Sequence, residues 1–196
     1  MSIAHSNQGN GTKVRPLPMR LHHNAYVCHD LEQTRKFYED VLGWPLISVW
    51  RERDFIFNED LSYCHLFFQI ADGGCLAFFK FADDAMQEKF AQYGPHSPFV
   101  HLALKADAAV QEEVKRRLEA AGYKTDVIDH GYCRSLYFTD PNGLNLEFAV
   151  DHPDWDKIVA LRTASAHDDL KKWIAGDHSS NNDWRPPETQ PSHTGK

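Results

Sequence analysis

The sequence lacks the features that mark several large classes of protein. No apolar run approaches the roughly 20 residues needed to span a bilayer, and residues 1–16 lack the apolar stretch of a signal peptide. Basic residues are not in surplus, and the net charge of −7 argues against a general nucleic-acid binder, which would present a basic face. These absences predict a cytoplasmic protein that binds neither membrane nor nucleic acid.

Closely spaced cysteine pairs are also missing. The four cysteines are Cys28, Cys64, Cys75 and Cys133, and none forms a CxxC motif. A zinc ribbon or a thioredoxin-like redox site is therefore not expected. In a reducing cytosol these residues are expected to be free thiols with structural roles.

Hydrophobic periodicity divides the chain into two similar halves. Residues 18–82 and 97–150 each predict the order strand, helix, strand, strand, strand, and residues 83–96 read as a linker. In the first half, Asp30 is the expected helix N-cap and Gly43 the expected helix end. The segment RDFIFNEDLS is predicted to be a polar and aromatic connection between two strands.

The flanking segments do not belong to the repeat. Residues 1–17 are polar and glycine-rich, which predicts a flexible arm. Residues 151–176 predict a helical extension, either an arm for packing or dimerisation or a lid over a pocket. Residues 177–196 predict a disordered tail.

Two histidines occupy matching positions in the halves. His23 lies seven residues before Asp30 at the start of the first helix, and His101 lies seven residues before Ala108 at the start of the second. An internal repeat constrains the fold strongly. If the two units lie side by side, His23 and His101 become neighbours across a pseudo-twofold axis. Taken singly, each histidine also fits a core or rim position. His22 competes with His23, but strand alternation places it on the opposite face.

Glu147 completes a candidate ligand set. It lies between apolar neighbours in LNLEFAV, where an unpaired carboxylate would be costly to bury. Two imidazoles and one carboxylate suit divalent iron or manganese and leave coordination positions open, and zinc accepts a similar set. The sequence thus predicts a metal site formed by His23, His101 and Glu147.

The same segments resemble the vicinal oxygen chelate superfamily, which includes glyoxalase I, extradiol dioxygenases, fosfomycin-resistance enzymes and bleomycin-binding proteins. The opening of the first half resembles that family through His23, Asp30-Leu31, Phe37-Tyr38 and Val41-Leu42-Gly43. The segments FVHLALKA and SLYFTDPNGLNLEF resemble the opening and the closing strands of a second module, through Tyr137, Asp140-Pro141, Gly143 and Glu147. The resemblance covers roughly residues 20–150. It implies an α+β fold in which paired βαβββ modules form a curved mixed sheet around a metal site.

The resemblance also suggests a reaction. Glyoxalase I takes a second carboxylate from the last strand of its first module, and the corresponding segment here, CLAFFKFA, contains none. A three-ligand set is similar to that of a single-domain Fe(II) extradiol dioxygenase, an oxidoreductase of aromatic compound catabolism that uses an aromatic substrate and O₂. In that reading Tyr137 hydrogen-bonds a substrate oxygen and His130 is the acid and base, unless His130 is a surface loop residue. Mn(II), Zn(II) or Ni(II) are alternatives to Fe(II).

Other functions within the superfamily stay open. One is a metal-dependent lyase, isomerase or epimerase, and another is a binding protein without catalysis. Arg134 and Lys80 are either solvated charges or groups that orient an anionic substrate. The modules pair within one chain or exchange between chains, and a homodimer is expected.

Overall fold

The computed structural model describes residues 20–91, 97 and 99–185. The predicted N-terminal arm, residues 1–17, lies outside the described residues, as do residues 186–196 of the predicted tail. In the described part, no helix combines the length and the apolar character needed to cross a membrane.

The first half of the chain forms a four-stranded mixed sheet with one helix. Its elements are β1 (His23–Val27), α1 (Leu31–Arg35), a π-helical continuation (Lys36–Val41), β2 (Leu46–Ile56), β3 (Glu59–Gln69) and β4 (Cys75–Phe81). The strands lie in the order β1-β4-β3-β2, with β1 and β4 parallel and the other neighbours antiparallel. The Asp30 carboxylate accepts a hydrogen bond from the Gln33 amide at 2.7 Å, which confirms the predicted N-cap. Gly43 follows the helix with φ of +79°, as the predicted helix end requires.

A tight hairpin stands where the sequence predicts a polar and aromatic connection. Strands β2 and β3 continue until Ile56 pairs with Glu59. Phe57 and Asn58 between them have φ of +53° and +61°, the left-handed pair of a type I′ turn. The prediction of a connection over residues 53–62 is therefore wrong, because no glycine marks this turn and the charged residues before it belong to an exposed strand.

The second half repeats the first. Its elements are α2 (Asp84–Phe90), β5 (Leu102–Lys105), α3 (Ala108–Ala120), β6 (Asp126–Asp129), β7 (Cys133–Thr139) and β8 (Asn145–Asp151). The strand order β5-β8-β7-β6 has the same topology as the first sheet, and β5 and β8 are parallel. Helix α2 lies within the segment predicted to be a linker. With α4 (Trp155–Ile174) after the second sheet, the α+β fold of paired modules and a C-terminal helix is confirmed.

A single hydrophobic core joins the two halves. It contains one face of each sheet together with the buried faces of α1, its π-helical continuation and α3. Its largest members are Phe37, Tyr38, Phe68 and Phe78 of the first half and Leu118, Phe138, Leu146 and Phe148 of the second. Successive strand residues point to opposite faces, so the faces that carry His23 and Glu147 lie on the sides of the two sheets away from this core.

A buried polar contact also crosses between the halves. The Tyr38 hydroxyl donates to the Asp140 carboxylate at 2.9 Å, and Asp140 also accepts from the backbone amides of Asn142 and Leu144, each at 2.8 Å. Burial raises the pKa of Asp140 despite these donors. The contact therefore fixes how the helix of the first half sits on the Asp140–Leu144 turn of the second.

Removing the Tyr38 hydroxyl should destabilise the joined core. Tyr38→Phe leaves Asp140 with its amide donors, so we expect the free energy of unfolding to fall by about 1–3 kcal/mol. Asp140→Ala should cost more, because it leaves the Tyr38 hydroxyl and two buried amides unpaired. Urea unfolding measures both. Thr139→Ala is the control, since its hydrogen bond to Asn145 is exposed, and it should change stability by less than about 0.5 kcal/mol. An equal loss in Tyr38→Phe and Thr139→Ala would contradict the role of the buried contact.

Candidate metal and substrate site

Glu147 is the centre of a compact polar cluster on the second sheet. Its side chain is on the face away from the core, yet the residue is only 6% exposed because neighbouring side chains cover it. His101 Nε2 lies 2.8 Å from Glu147 Oε2, and the Ser135 hydroxyl donates to Oε1 at 2.5 Å. Both carboxylate oxygens therefore have partners, which offsets the cost of burying the charge. Two of the three residues predicted as metal ligands, His101 and Glu147, are therefore in contact within one chain.

Tyr137 and His130 adjoin this pair. Tyr137 is directly opposite Glu147 in the β7–β8 register, and its ring meets that of His101 edge-on with centroids 5.8 Å apart. The Tyr137 hydroxyl lies 2.9 Å from His130 Nε2. Four of the five residues singled out from the sequence thus form one continuous cluster.

Burial shifts the pKa values of Tyr137 and His130 in opposite directions. It raises the pKa of the Tyr137 phenol to about 12, so the phenol stays protonated and can donate a hydrogen bond. Burial also lowers the pKa of His130, and the nearby positive charge of Arg185 adds to that effect. His130 is therefore more readily neutral than an ordinary histidine, as a general base must be.

His23 is not part of this cluster within one chain. Its ring lies on the outer face of the first sheet, 5.5 Å from the Phe67 ring and 6.1 Å from the His65 ring between centroids. Strands β1 and β5 are each at the edge of a separate sheet. Among the described residues no group of three or more His, Cys, Asp or Glu side chains is placed to hold a metal ion. The expected contact of His23 with His101 therefore does not form within the chain.

His22 also differs from expectation. Its Nδ1 lies 2.7 Å from His23 Nδ1, although strand alternation predicts opposite faces. The reason is that β1 begins at His23, so His22 is outside the regular strand and can turn toward its neighbour. His22 is positioned to hold the His23 ring rather than to replace it.

The outer faces of the two sheets carry different chemistry at equivalent positions. Ala25 pairs with Ala77 in the first sheet as Ala103 pairs with Glu147 in the second. By the same register, Phe67 corresponds to Tyr137 and His65 to Ser135. Ala77 is thus the residue of the first sheet at the position equivalent to Glu147. The first sheet thus presents aromatic side chains around His23, while the second presents acid, base and hydroxyl groups.

Ser135 and His65 were not singled out from the sequence. Ser135 could have been found by alternation, because it lies two residues before Tyr137 and so on the same face of β7. His65 stacks on Phe79 with ring centroids 3.7 Å apart, and burial lowers its pKa to about 4. Its Nε2 has no hydrogen-bond partner among the described residues, and nothing in the sequence separates it from a core histidine.

The candidate anion-binding residue Arg134 points the other way. Its guanidinium donates to Gln111 at 2.7 Å and to Glu112 at 2.8 Å, both on α3. Arg134 is thus on the helix side of the second sheet and does not reach the cluster around Glu147. Lys80, on β4, alternates with Phe79 and so also lies on the helix side of its sheet.

The chain beyond α4 returns to the cluster. The side-chain amide of Asn182 donates to the carbonyl of His130 at 2.8 Å. The backbone of Trp184 lies so close to Gly131 that a Cβ there would be 2.3 Å from it. Arg162 of α4 lies over the Trp184 ring at 4.9 Å. The segment 177–185, predicted from composition to belong to a disordered tail, therefore covers the His130 end of the site.

Comparisons with known proteins agree with this architecture. The family model for the glyoxalase/bleomycin resistance protein/dioxygenase superfamily matches residues 20–148. An uncharacterized protein of Bacillus subtilis (strain 168), YwkD, is 27% identical over 128 residues, which are 65% of this chain and 93% of that protein.

Two solved structures share the fold at low identity. One is a mutant form of the fosfomycin resistance protein FosX from Listeria monocytogenes, complexed with Mn(II) and 1S,2S-dihydroxypropylphosphonic acid. It has a TM-score of 0.52 and 19% identity, over 70% of this chain and 97% of that one. The other is a glyoxylase/bleomycin resistance protein/dioxygenase domain from Frankia sp. EAN1pec, with a TM-score of 0.54 and 16% identity over 70% and 95%. The repeated topology and the family match together show that this chain belongs to the glyoxalase/bleomycin resistance protein/dioxygenase superfamily.

Proposed function

We propose that this protein is a metal-dependent enzyme of the extradiol dioxygenase type, which cleaves a catecholic or related aromatic substrate with O₂. The observation that carries the proposal is the contact chain from His101 through Glu147 and Tyr137 to His130. It combines two metal-ligand side chains with an acid–base pair on a single face of one sheet.

The donor set fits a divalent metal. An imidazole nitrogen and a carboxylate oxygen 2.8 Å apart are of the ligand types that iron, manganese and zinc accept. The Ser135 hydroxyl holds the other carboxylate oxygen, as partners of metal ligands commonly do. FosX, which shares the fold, binds Mn(II). Bound here, Fe(II) would act as a Lewis acid toward two neighbouring substrate oxygens and supply the electron transfer that O₂ chemistry requires.

The third ligand is assigned to His23 of a second copy of the chain. The shared core turns the His23 face and the Glu147 face outward on opposite sides, so one copy cannot bring them together. Two copies related by a twofold axis can place the first sheet of each against the second sheet of the other. The result is a homodimer with two equivalent sites, each with one aromatic wall and one polar wall.

The remaining residues have separate roles in substrate binding and in proton transfer. The aromatic wall around His23, formed by Phe67 and Phe79, suits a flat ring. Tyr137, protonated because of its raised pKa, donates a hydrogen bond to a substrate oxygen. His130, in contact with the Tyr137 hydroxyl at 2.9 Å, accepts the proton that a catechol hydroxyl releases and returns a proton to the product.

Complementation between variants tests the shared site. His23→Ala and His101→Ala should each fail to retain metal. When the two are unfolded and refolded together, about half of the dimers are mixed, and each mixed dimer has one intact site. Metal content should therefore return to about one quarter of the wild-type value, as measured by elemental analysis of the refolded protein.

The controls for complementation use the same assay. His23→Ala refolded alone should stay metal-free, and His167→Ala, an exposed change on α4, should bind metal normally. If the mixture of His23→Ala and His101→Ala stays metal-free although mixed dimers form, the two histidines do not share a site between chains. Full metal binding by Glu147→Ala would contradict the ligand set itself.

Oxygen uptake tests the reaction. Protein reconstituted anaerobically with Fe(II) should consume one O₂ for each molecule of a catechol turned over. His130→Gln should keep its metal but lose about 10²–10⁴-fold in kcat. Because the pKa of His130 is lowered, its neutral form persists below pH 6.5, so wild-type activity should persist at that pH and fall only further into acid. Turnover without O₂ consumption would instead indicate a lyase, isomerase or epimerase.

A further inference from the structure

The segment after α4 brings a positively charged residue, Arg185, beside the loop that follows His130. A Cβ at Gly131 would lie 2.4 Å from the backbone nitrogen of Arg185, so this residue is against the loop that follows His130. Asn182 anchors the same segment through the His130 carbonyl at 2.8 Å. Arg185 is outside the part of the chain that the family model matches, which ends at residue 148.

One donor of the Arg185 guanidinium, the buried Nε, has no hydrogen-bond partner among the described residues. The acidic groups nearby are engaged elsewhere: Asp183 with Arg162 at 3.5 Å, Asp129 with the Gly131 amide at 2.7 Å, and Glu147 with His101 and Ser135. A buried guanidinium donor without a partner is costly unless a ligand supplies the acceptor.

The positive charge of Arg185 affects the pKa of His130. Burial is the larger cause of the lowered pKa, and the neighbouring cation lowers it further. His130 in turn contacts Tyr137, which faces the position of the substrate. Arg185 is therefore close to His130, the proposed acid and base.

We propose that Arg185 binds an anionic group of the substrate, and that the substrate is a catecholic compound bearing a carboxylate. A guanidinium presents paired donors that match the two oxygens of a carboxylate. The inference rests on the proposed function for the catecholic part of the substrate, while the carboxylate is inferred from Arg185 alone. The segment after α4 then determines which substrate binds. The part of the chain that the family model matches supplies the metal ligands and the proton carriers.

Paired ligands test this assignment by binding alone. Dissociation constants for 3,4-dihydroxybenzoate and for catechol are measured by calorimetry on metal-reconstituted protein without oxygen. Both ligands have vicinal hydroxyls, and only the first has a carboxylate. We expect wild-type protein to bind 3,4-dihydroxybenzoate about 10- to 100-fold more tightly. Arg185→Gln should lower the affinity for 3,4-dihydroxybenzoate to about that for catechol, and Arg185→Lys should retain part of the preference.

The control variant is Lys171→Gln, which removes one positive charge from an exposed position of α4 and should keep the full preference. Thermal unfolding confirms that each variant folds. A preference that persists in Arg185→Gln, or a wild-type protein that binds catechol but shows no preference, would overturn the role of Arg185 and leave the proposed function standing. Failure of wild-type protein to bind either ligand would overturn the proposed function and this inference with it.

Discussion

The shared core between the two sheets is the constraint on which the rest of the molecule depends. Each sheet has one face buried against helices and against the other half. Because side chains alternate along a strand, the opposite faces must then point away from each other. The residues with ligand chemistry, His23 on one sheet and His101 with Glu147 on the other, are all on those outer faces. The packing that stabilises a single chain therefore also separates His23 from the other two residues of the predicted ligand set.

Glu147 is stabilised by residues of its own chain, without a contribution from His23. A buried carboxylate needs partners for both oxygens, and in one chain His101 and Ser135 already provide them. The predicted ligands on the second sheet, His101 and Glu147, thus have their contacts within one chain. The first sheet has no buried carboxylate at the equivalent position that would need partners, because Ala77 is there and the surrounding side chains are aromatic. The two sheets of the repeat therefore share a topology but differ in the side chains on their outer faces.

The sequence predicts what depends on short-range pattern. The repeat and the helix caps at Asp30 and Gly43 follow from periodicity and from residue type. His101 and Glu147 were predicted as ligands of one metal ion, and they are in contact. Tyr137 and His130 were singled out through the family resemblance, and the contact between them is a finding of the structure. The hairpin at Phe57 and Asn58 was missed because a phenylalanine is not typical of a turn position with positive φ and no glycine accompanies Asn58.

Long-range placement is harder to obtain from one sequence. The orientation of one sheet relative to the other depends on packing around Tyr38 and Asp140, more than a hundred residues apart, and nothing local encodes it. The return of residues 177–185 depends on contacts with Gly131 and His130, while their composition is typical of a disordered tail. For the same reason Arg134 looks as suitable as Arg185 in the sequence, and only the fold shows that it points toward α3.

The segment after α4 links two proposed properties of the site, binding of an anionic group and transfer of a proton. Asn182 donates a hydrogen bond to the carbonyl of His130, and Arg185 lies beside the same loop, so one segment contacts both the proposed proton carrier and the proposed anion-binding group. In the proposed arrangement, a ligand bound by Arg185 would also hold this segment against His130. If the segment acts in this way, affinity for the anionic group and the rate of proton transfer should be coupled. A segment that only packs against the domain would change stability and leave both unaffected.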